Sequence, residues 1–169
     1  IFTEKAYPED EAVFTADVTA EGPTEASGEV VYEERFGKRS QFELVVPFGT
    51  RERAGPDGGW TGGVGDIALG VKRDMYHSYS DGTIFSLAGE VILPTGDEDD
   101  GFGSGTVIFE PFASFGQILP ADGFVHAQAG FELPWDTNRA ENEAFWRGAL
   151  GRTWQSGMFG RAWSPMIEV

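Results

Sequence analysis

From Phe36 to Val169 the chain repeats one pattern: about ten residues of alternating apolar and polar positions, then a polar connection, short and long by turns. The short connections are Phe36 to Ser40, Tyr76 to Gly82, Gln117 to Gly123 and Gln155 to Gly157. The long ones are Gly49 to Gly63, Pro94 to Ser104 and Pro134 to Asn142. Alternation with a period of two puts successive side chains on opposite faces of a strand. In Thr83 to Leu93, Phe85, Leu87, Val91 and Leu93 share one face and Ser86, Ala88 and Glu90 the other. In Gly123 to Leu133, Val125, Ala127, Ala129, Phe131 and Leu133 oppose His126, Gln128 and Glu132. Ser40 to Phe48 (Phe42, Leu44, Val46, Phe48) and Val64 to Met75 (Ile67, Leu69, Val71 against Asp66 and Lys72) repeat the division. Unequal connections are what an outer-membrane barrel needs, because one end only reverses the chain while the other faces the medium.

The pattern therefore predicts an all-β fold, an antiparallel up-and-down transmembrane barrel with about eight to ten strands in this chain. Ala12 to Ala20, with Phe14, Ala16 and Val18 on one face, supplies the first strand. Residues 1–11, with Glu4, Glu9, Asp10 and Glu11, read as an acidic polar lead-in, and 12–169 as the barrel domain. Nine strands leave the ends on opposite sides, whereas bacterial single-chain barrels normally have even counts; the chain is expected to be a fragment or to lack its last strands. Pro111 removes a ladder donor inside a strand, so a bulge or an unpaired edge is expected there. Trp146 beside a long loop, and Trp154 and Trp163 beside a short turn, fit two aromatic girdles. Arg152 and Arg161 lie close enough to that turn to snorkel outward.

Composition narrows the function. A formal charge of −16 argues against nucleic acid or anionic head groups as partners. The absence of cysteine excludes disulfides, thiolate metal sites and covalent haem attachment. No run approaches the roughly 18 apolar residues of a spanning helix, and the chain opens on Ile1 without a basic-then-apolar stretch, so any signal peptide is expected to have been removed or to lie outside this sequence.

The segments GVGDIALGVKRDMY (Gly63 to Tyr76), EVILPTGD (Glu90 to Asp97) and EERFGKRSQFELVVPFG (Glu33 to Gly49), in that spacing, resemble the outer-membrane barrels of the MetA-pathway phenol-degradation type, described also as transporters. Gly65, Asp66, Pro94, Thr95, Gly96 and Asp97 carry the resemblance. It implies a Gram-negative outer-membrane channel for small hydrophobic or aromatic molecules, without catalytic residues or cofactor.

Among candidate sites, Glu90, Glu110, His126, Gln128, Glu132 and Arg147 fall on lumen faces, where they set pore polarity or simply satisfy one another in a narrow barrel. Asp97, Asp99 and Asp100 offer oxygens to Ca²⁺ but lack the EF-hand spacing; a solvated acidic loop is the simpler reading. Gly63, Gly65 and Ala68 imitate a dinucleotide loop, yet strand alternation continues through them. With only His77 and His126 and no nucleophile elbow, acyl transfer is not expected, and acidic pairs for glycoside hydrolysis arise by chance in so acidic a chain. The expected function is passive outer-membrane uptake of small apolar solutes, entering past Trp60, Phe102 and Trp135 at a greasy mouth, with lipid and lipopolysaccharide as neighbours. Two alternatives stay open: a soluble β-sandwich or lipocalin-like binding module, and a structural subunit that completes its sheet with a partner chain.

Overall fold

The computed structural model describes residues 5–19, 24–52, 59–156 and 161–169, with backbone alone at 155, 156 and 161–163. The strands are β1 (Glu11–Thr19), β2 (Glu25–Phe36), β3 (Ser40–Glu52), β4 (Trp60–Val64), β5 (Ile67–Ser78), β6 (Thr83–Leu93), β7 (Ile108–Leu119), β8 (Gly123–Pro134), β9 (Glu143–Arg152), β10 (Trp154–Ser156), β11 (Arg161–Trp163) and β12 (Met166–Glu168). Neighbours in the order β1-β2-β3-β5-β6-β7-β8-β9-β12 pair antiparallel, β4 pairs with β3, and β10 and β11 form a separate ribbon. This all-β meander curls into an open half-barrel. As far as β9 it has the alternation of connections read above, including short turns at 37–39, 79–82 and the 3-10 turn Pro120–Asp122; of the turn expected at Gln155 to Gly157, Gln155 and Ser156 belong to β10 and Gly157 lies outside the described residues.

Two expectations are corrected. The connection after β3 is shorter than Gly49 to Gly63, because β3 runs on to Glu52 and pairs there with β4, from Phe48↔Val64 to Glu52↔Trp60. The strand read from Val64 is thus two pieces: β4 pairs with the second half of β3 and β5 with the first, and Gly65 and Asp66 form the break. Pro111 causes no bulge. It keeps its register with Gly89 on β6, and the β8 ladder resumes after it in the same register, Phe109↔Leu133 and Phe112↔Gly130. The missing N–H therefore interrupts pairing without inserting a residue. A register shift occurs instead on β5, between Asp74 and Tyr76.

The half-barrel is inverted relative to a soluble sheet. Its fully covered side chains include Gln41, Ser86 and Ser114, and Glu33, Lys72, Asp74, Glu110 and Gln128 are also buried. Among the described residues the buried apolar ones are few and mostly small: Ala6, Ala68, Ile108, Phe112 and Ala149. The apolar parity faces outward and is exposed, with Phe14 at 67%, Phe131 at 56% and Trp146 at 70%. Cross-strand pairs such as Phe14↔Val30, Leu69↔Val91 and Phe109↔Leu133 join these side chains into a belt. Polar positions converge on the concave face, and any site for chemistry or binding lies there.

Candidate functional site: a lumen in two chambers

Register decides which polar side chains meet on the concave face. Glu11 pairs with Glu33, Glu33 with Glu43, Glu43 with Gly70, Gly70 with Glu90 and Glu90 with Glu110. The constant register of β7 with β8 carries the row on to Glu132, which pairs with Glu143. One line of glutamates thus crosses the sheet, broken only where β5 places a glycine. That glycine is required by close approach: a Cβ at Gly70 would lie 2.8 Å from Glu90 Cγ and 3.4 Å from Glu43 Cβ. The row lines a chamber of about 510 Å³, where Glu29, Asp66 and Arg147 join it. Buried Lys72 lies 3.9 Å from Glu33 and offsets part of the charge.

The segment before β1 crosses this face instead of leading in from solvent. Ala6 is fully buried. Three lumen side chains hold the backbone: Lys72 Nζ donates to Lys5 O at 2.9 Å, Ser86 Oγ donates to Ala6 O, and Glu9 N donates to Gln41 Oε1 at 2.6 Å. Gln41 is fixed in turn by donating to Glu33. At the rim Asp10 accepts from Arg35 N at 2.7 Å and Arg35 Nε at 2.6 Å. Glu9, Glu11 and Glu33 bring carboxylate oxygens within 4.8 Å of one another, a spacing that suits a cation. The chain supplies its own, since Lys5 Nζ lies 2.9 Å from Glu9 and 3.3 Å from Glu11. Burial raises the Glu9 pKa against the opposing pull of Lys5, while the side-chain and backbone hydrogen bonds from Arg35 lower that of Asp10.

On the other side of this segment, at the short turns, lies a second chamber of about 390 Å³. Tyr7 and Pro8 form its roof, Ile84, Ile118 and Phe124 its apolar wall, and Asp74, His77 and His126 its polar groups. His77 Nδ1 donates to Asp74 Oδ2 at 2.5 Å. Tyr79 meets His77 edge-on at 4.9 Å between ring centroids, and Phe124 meets His126 at 5.6 Å.

The opposite end is covered by the loop between β6 and β7, organised by the carboxylate of Asp66. Asp66 Oδ1 accepts from Gly96 N at 2.9 Å, and Oδ2 from Ser104 N at 2.6 Å and Ser104 Oγ at 2.7 Å. Thr95 Oγ1 accepts from Ile67 N and donates to Gly65 O, both at 2.9 Å. The loop can close so tightly because Gly96 and Gly103 touch backbone to backbone; a Cβ at Gly103 would lie 2.5 Å from Gly96 O. Phe102 then lies across the glycine floor at Gly49 and Gly63, with the Arg51 guanidinium 5.3 Å from its ring centroid.

These contacts place each residue singled out from sequence. Glu90, Glu110, Gln128 and Arg147 line the acidic chamber, His126 lines the short-turn chamber, and Glu132 extends the glutamate row. Gly65, Asp66, Thr95 and Gly96 meet directly, with Pro94 and Asp97 flanking them in the chain; Asp97 accepts Phe102 N through its carbonyl and Asp100 N through its carboxylate. Asp100 Oδ2 accepts from Thr61 Oγ1, so Asp97 and Asp100 serve the loop's own fold, and Asp99 is exposed. Trp146 faces outward, and Trp154 carries the Arg152 guanidinium 5.2 Å from its ring. Trp163 pairs with Trp154 through its backbone; its side chain and that of Arg161 lie outside the described residues. Of the proposed mouth, Trp60 and Trp135 are exposed and Phe102 folds inward. Glu11, Glu33, Glu43, Asp74 and Ser86 were not singled out, though all stand on the polar parity of their strands. Pairing the Glu33 to Gly49 hairpin about its turn would have placed Glu33 beside Glu43.

Fold and site together define a curled antiparallel meander with an apolar exterior and a chambered polar interior. The model of the family described as "Putative MetA-pathway of phenol degradation" matches residues 6–160, and the chain belongs to that family. No curated protein and no solved structure matches the chain.

Proposed function

We propose that this chain builds an outer-membrane barrel through which small hydrophobic or aromatic solutes diffuse, without chemical conversion. The observation that carries the reading is the inverted pattern of burial. An exposed belt of Phe, Leu, Val and Trp side chains around a sheet with Glu, Lys, Asp and Gln inside suits hydrocarbon outside and water within. The same pattern disfavours a soluble sandwich, whose apolar parity faces its own core. The glutamate row refines the solute class: anions are repelled, so an aromatic compound passes as a neutral or amine-bearing species. Among the described residues β1 pairs on one side only, which leaves an edge for a further strand, from a partner chain or from this one. Lipid and lipopolysaccharide are then the outer neighbours.

Expression behind a signal peptide tests the reading. The protein is expected in the outer-membrane fraction, with different gel migration before and after boiling. In liposomes it is expected to pass benzyl alcohol and benzylamine faster than benzoate. A monodisperse protein that stays soluble without detergent would refute the membrane reading, and equal flux of benzoate would refute the role given to the glutamates.

A further inference from the structure

We propose that residues 5–10 form a strap that closes the passage between the two chambers and opens it by leaving the concave face as one piece, hinged at the start of β1. The consequence for transport rests on the conduit reading, while the docking of the strap stands on its own contacts.

The strap runs across the strands, not along them. Its contacts fall on β5 (Lys72 Nζ to Lys5 O), β6 (Ser86 Oγ to Ala6 O), β3 (Gln41 Oε1 with Glu9 N) and β2 (Arg35 with Asp10). Glu11 then opens β1 opposite Glu33. The side chains divide between the chambers. Lys5 and Glu9 line the acidic one and Tyr7 and Pro8 the short-turn one, and the two chambers share no lining residue among those described. A smaller cavity of about 320 Å³, lined also by Ala149 and Met166, adjoins both. It meets the acidic chamber at Lys5 and the short-turn chamber at Tyr7, Phe124 and His126. Each of these borders carries a strap residue, so a solute passes from one chamber to the other only when the strap moves.

The same contacts suit detachment. Pro8 has no amide hydrogen, so the strap cannot become a full ladder strand, and none of residues 5–10 pairs with a strand. Three side-chain tips hold its backbone inside the lumen, and Arg35 holds Asp10 at the rim. Lys5 pairs with Glu9, which travels with it, and with Glu11 at the hinge, so departure breaks neither ion pair. Ala6 is the one buried residue of the strap, and a single methyl group loses little on exposure. Lys72, Ser86 and Gln41 stand in a polar lumen, where water takes over the bonds they give up. A segment with so few buried apolar contacts opens well below the free energy of global unfolding.

The chain contains no cysteine, so Ala6→Cys places its single thiol at the buried position of the strap. The full-length variant in detergent is treated with a maleimide, beside Tyr79→Cys as the exposed reference, position 79 being 92% exposed. The thiol at position 6 is expected to react without denaturant, about a hundredfold more slowly than the reference. Adding Gln41→Ala, which removes a contact three residues away, is expected to speed that reaction about tenfold, which fraying at Ala6 alone would not do. The adduct holds the strap off the sheet, so labelling is expected to raise arabinose flux through liposomes severalfold. No reaction short of denaturant, reaction as fast as the reference, indifference to Gln41→Ala, or unchanged flux after labelling in a protein that conducts would each overturn the proposal. Should either variant fail to fold, the unaltered protein decides. Its Glu9 amide is expected to exchange about a hundredfold faster than that of Val45, which lies in a strand paired on both sides, and equal rates overturn the proposal. Absence of flux from every form bears on the conduit reading alone, and the thiol and amide rates still decide the strap.

Discussion

The acidic chamber and the short-turn chamber are cut from the same strands by the same alternation, yet they present opposite chemistry. In the first, carboxylates stand directly opposite one another, as at Glu90↔Glu110, an arrangement that destabilises a sheet by a few tenths to about 1 kcal/mol per pair. In the second, the inward positions of β6 to β8 near the turns are Ile84, Gly116, Phe124 and His126, and they surround the single carboxylate of Asp74. Parity separates the wet face from the greasy one, and register separates the two chambers within the wet face. Between them runs a segment with no strand pairing, held by side chains that reach its backbone.

Removing the partition tests this comparison most severely. A chain lacking residues 1–10 gives up the contacts to Lys72, Ser86, Gln41 and Arg35 and opens the lumen from the glutamate row to the short turns. Single-channel conductance is expected to rise severalfold once Tyr7 and Pro8 no longer roof the short-turn chamber. Unchanged conductance would mean that solute does not cross the plane of that segment.

A smaller change is expected at the other end of the lumen. Asp66→Ala leaves the Gly96 and Ser104 amides without their acceptor, and two charge-assisted hydrogen bonds of this kind are together worth about 3 kcal/mol. Amide exchange at these two positions is expected to accelerate roughly a hundredfold. The imidazole signals of His77 and His126 in the short-turn chamber should stay as they were, because no described residue of the loop lines it. Imidazole signals that moved in Asp66→Ala would show that the loop and the short-turn chamber are coupled.

The strands, their order and the alternation of connections were legible because each depends on a period of two and on local turn chemistry. The cluster of Gly65, Asp66, Thr95 and Gly96 was legible as a motif, though the role of Asp66 as the acceptor that closes the loop was not, since its partners lie 30 and 38 residues away. The glutamate row needed register, which only the hairpins announce. Glu33 and Glu43 flank one turn closely enough to be paired on paper, whereas Glu43 and Gly70 are joined across a long connection interrupted by β4. Residues 1–11 were the hardest to read. Their acidic composition suits solvent, and nothing local marks Ala6 as a buried residue or Lys5 as the cation among three glutamates. At Pro111 the missing donor suggested a bulge or an unpaired edge, whereas the strand keeps its register with β6 and leaves the β8 ladder open at Glu110 and Pro111.

The smallest expected effect is a dependence of the partition on pH, with two limbs of opposite sign. Glu9 has its pKa raised from 4.5 by burial when the segment is docked, so the docked state holds a proton at higher pH than the free segment does. Docking therefore strengthens as pH falls from neutrality through that interval. Asp10 has its pKa lowered from 3.8 by Arg35, so its contribution is complete above the free value and is lost as pH falls through the lowered one. Exchange of the Glu9 amide, which is bonded to Gln41, is expected to show protection that rises modestly as pH falls from neutrality toward the free value of 4.5 and declines below about 3.8, after correction for intrinsic exchange. Asp10→Asn should abolish the acid decline and keep the rise, and Glu9→Gln the reverse. A single monotonic curve in the unaltered protein would mean that the two carboxylates do not report on the same docking event, and that the segment is held by its backbone contacts alone.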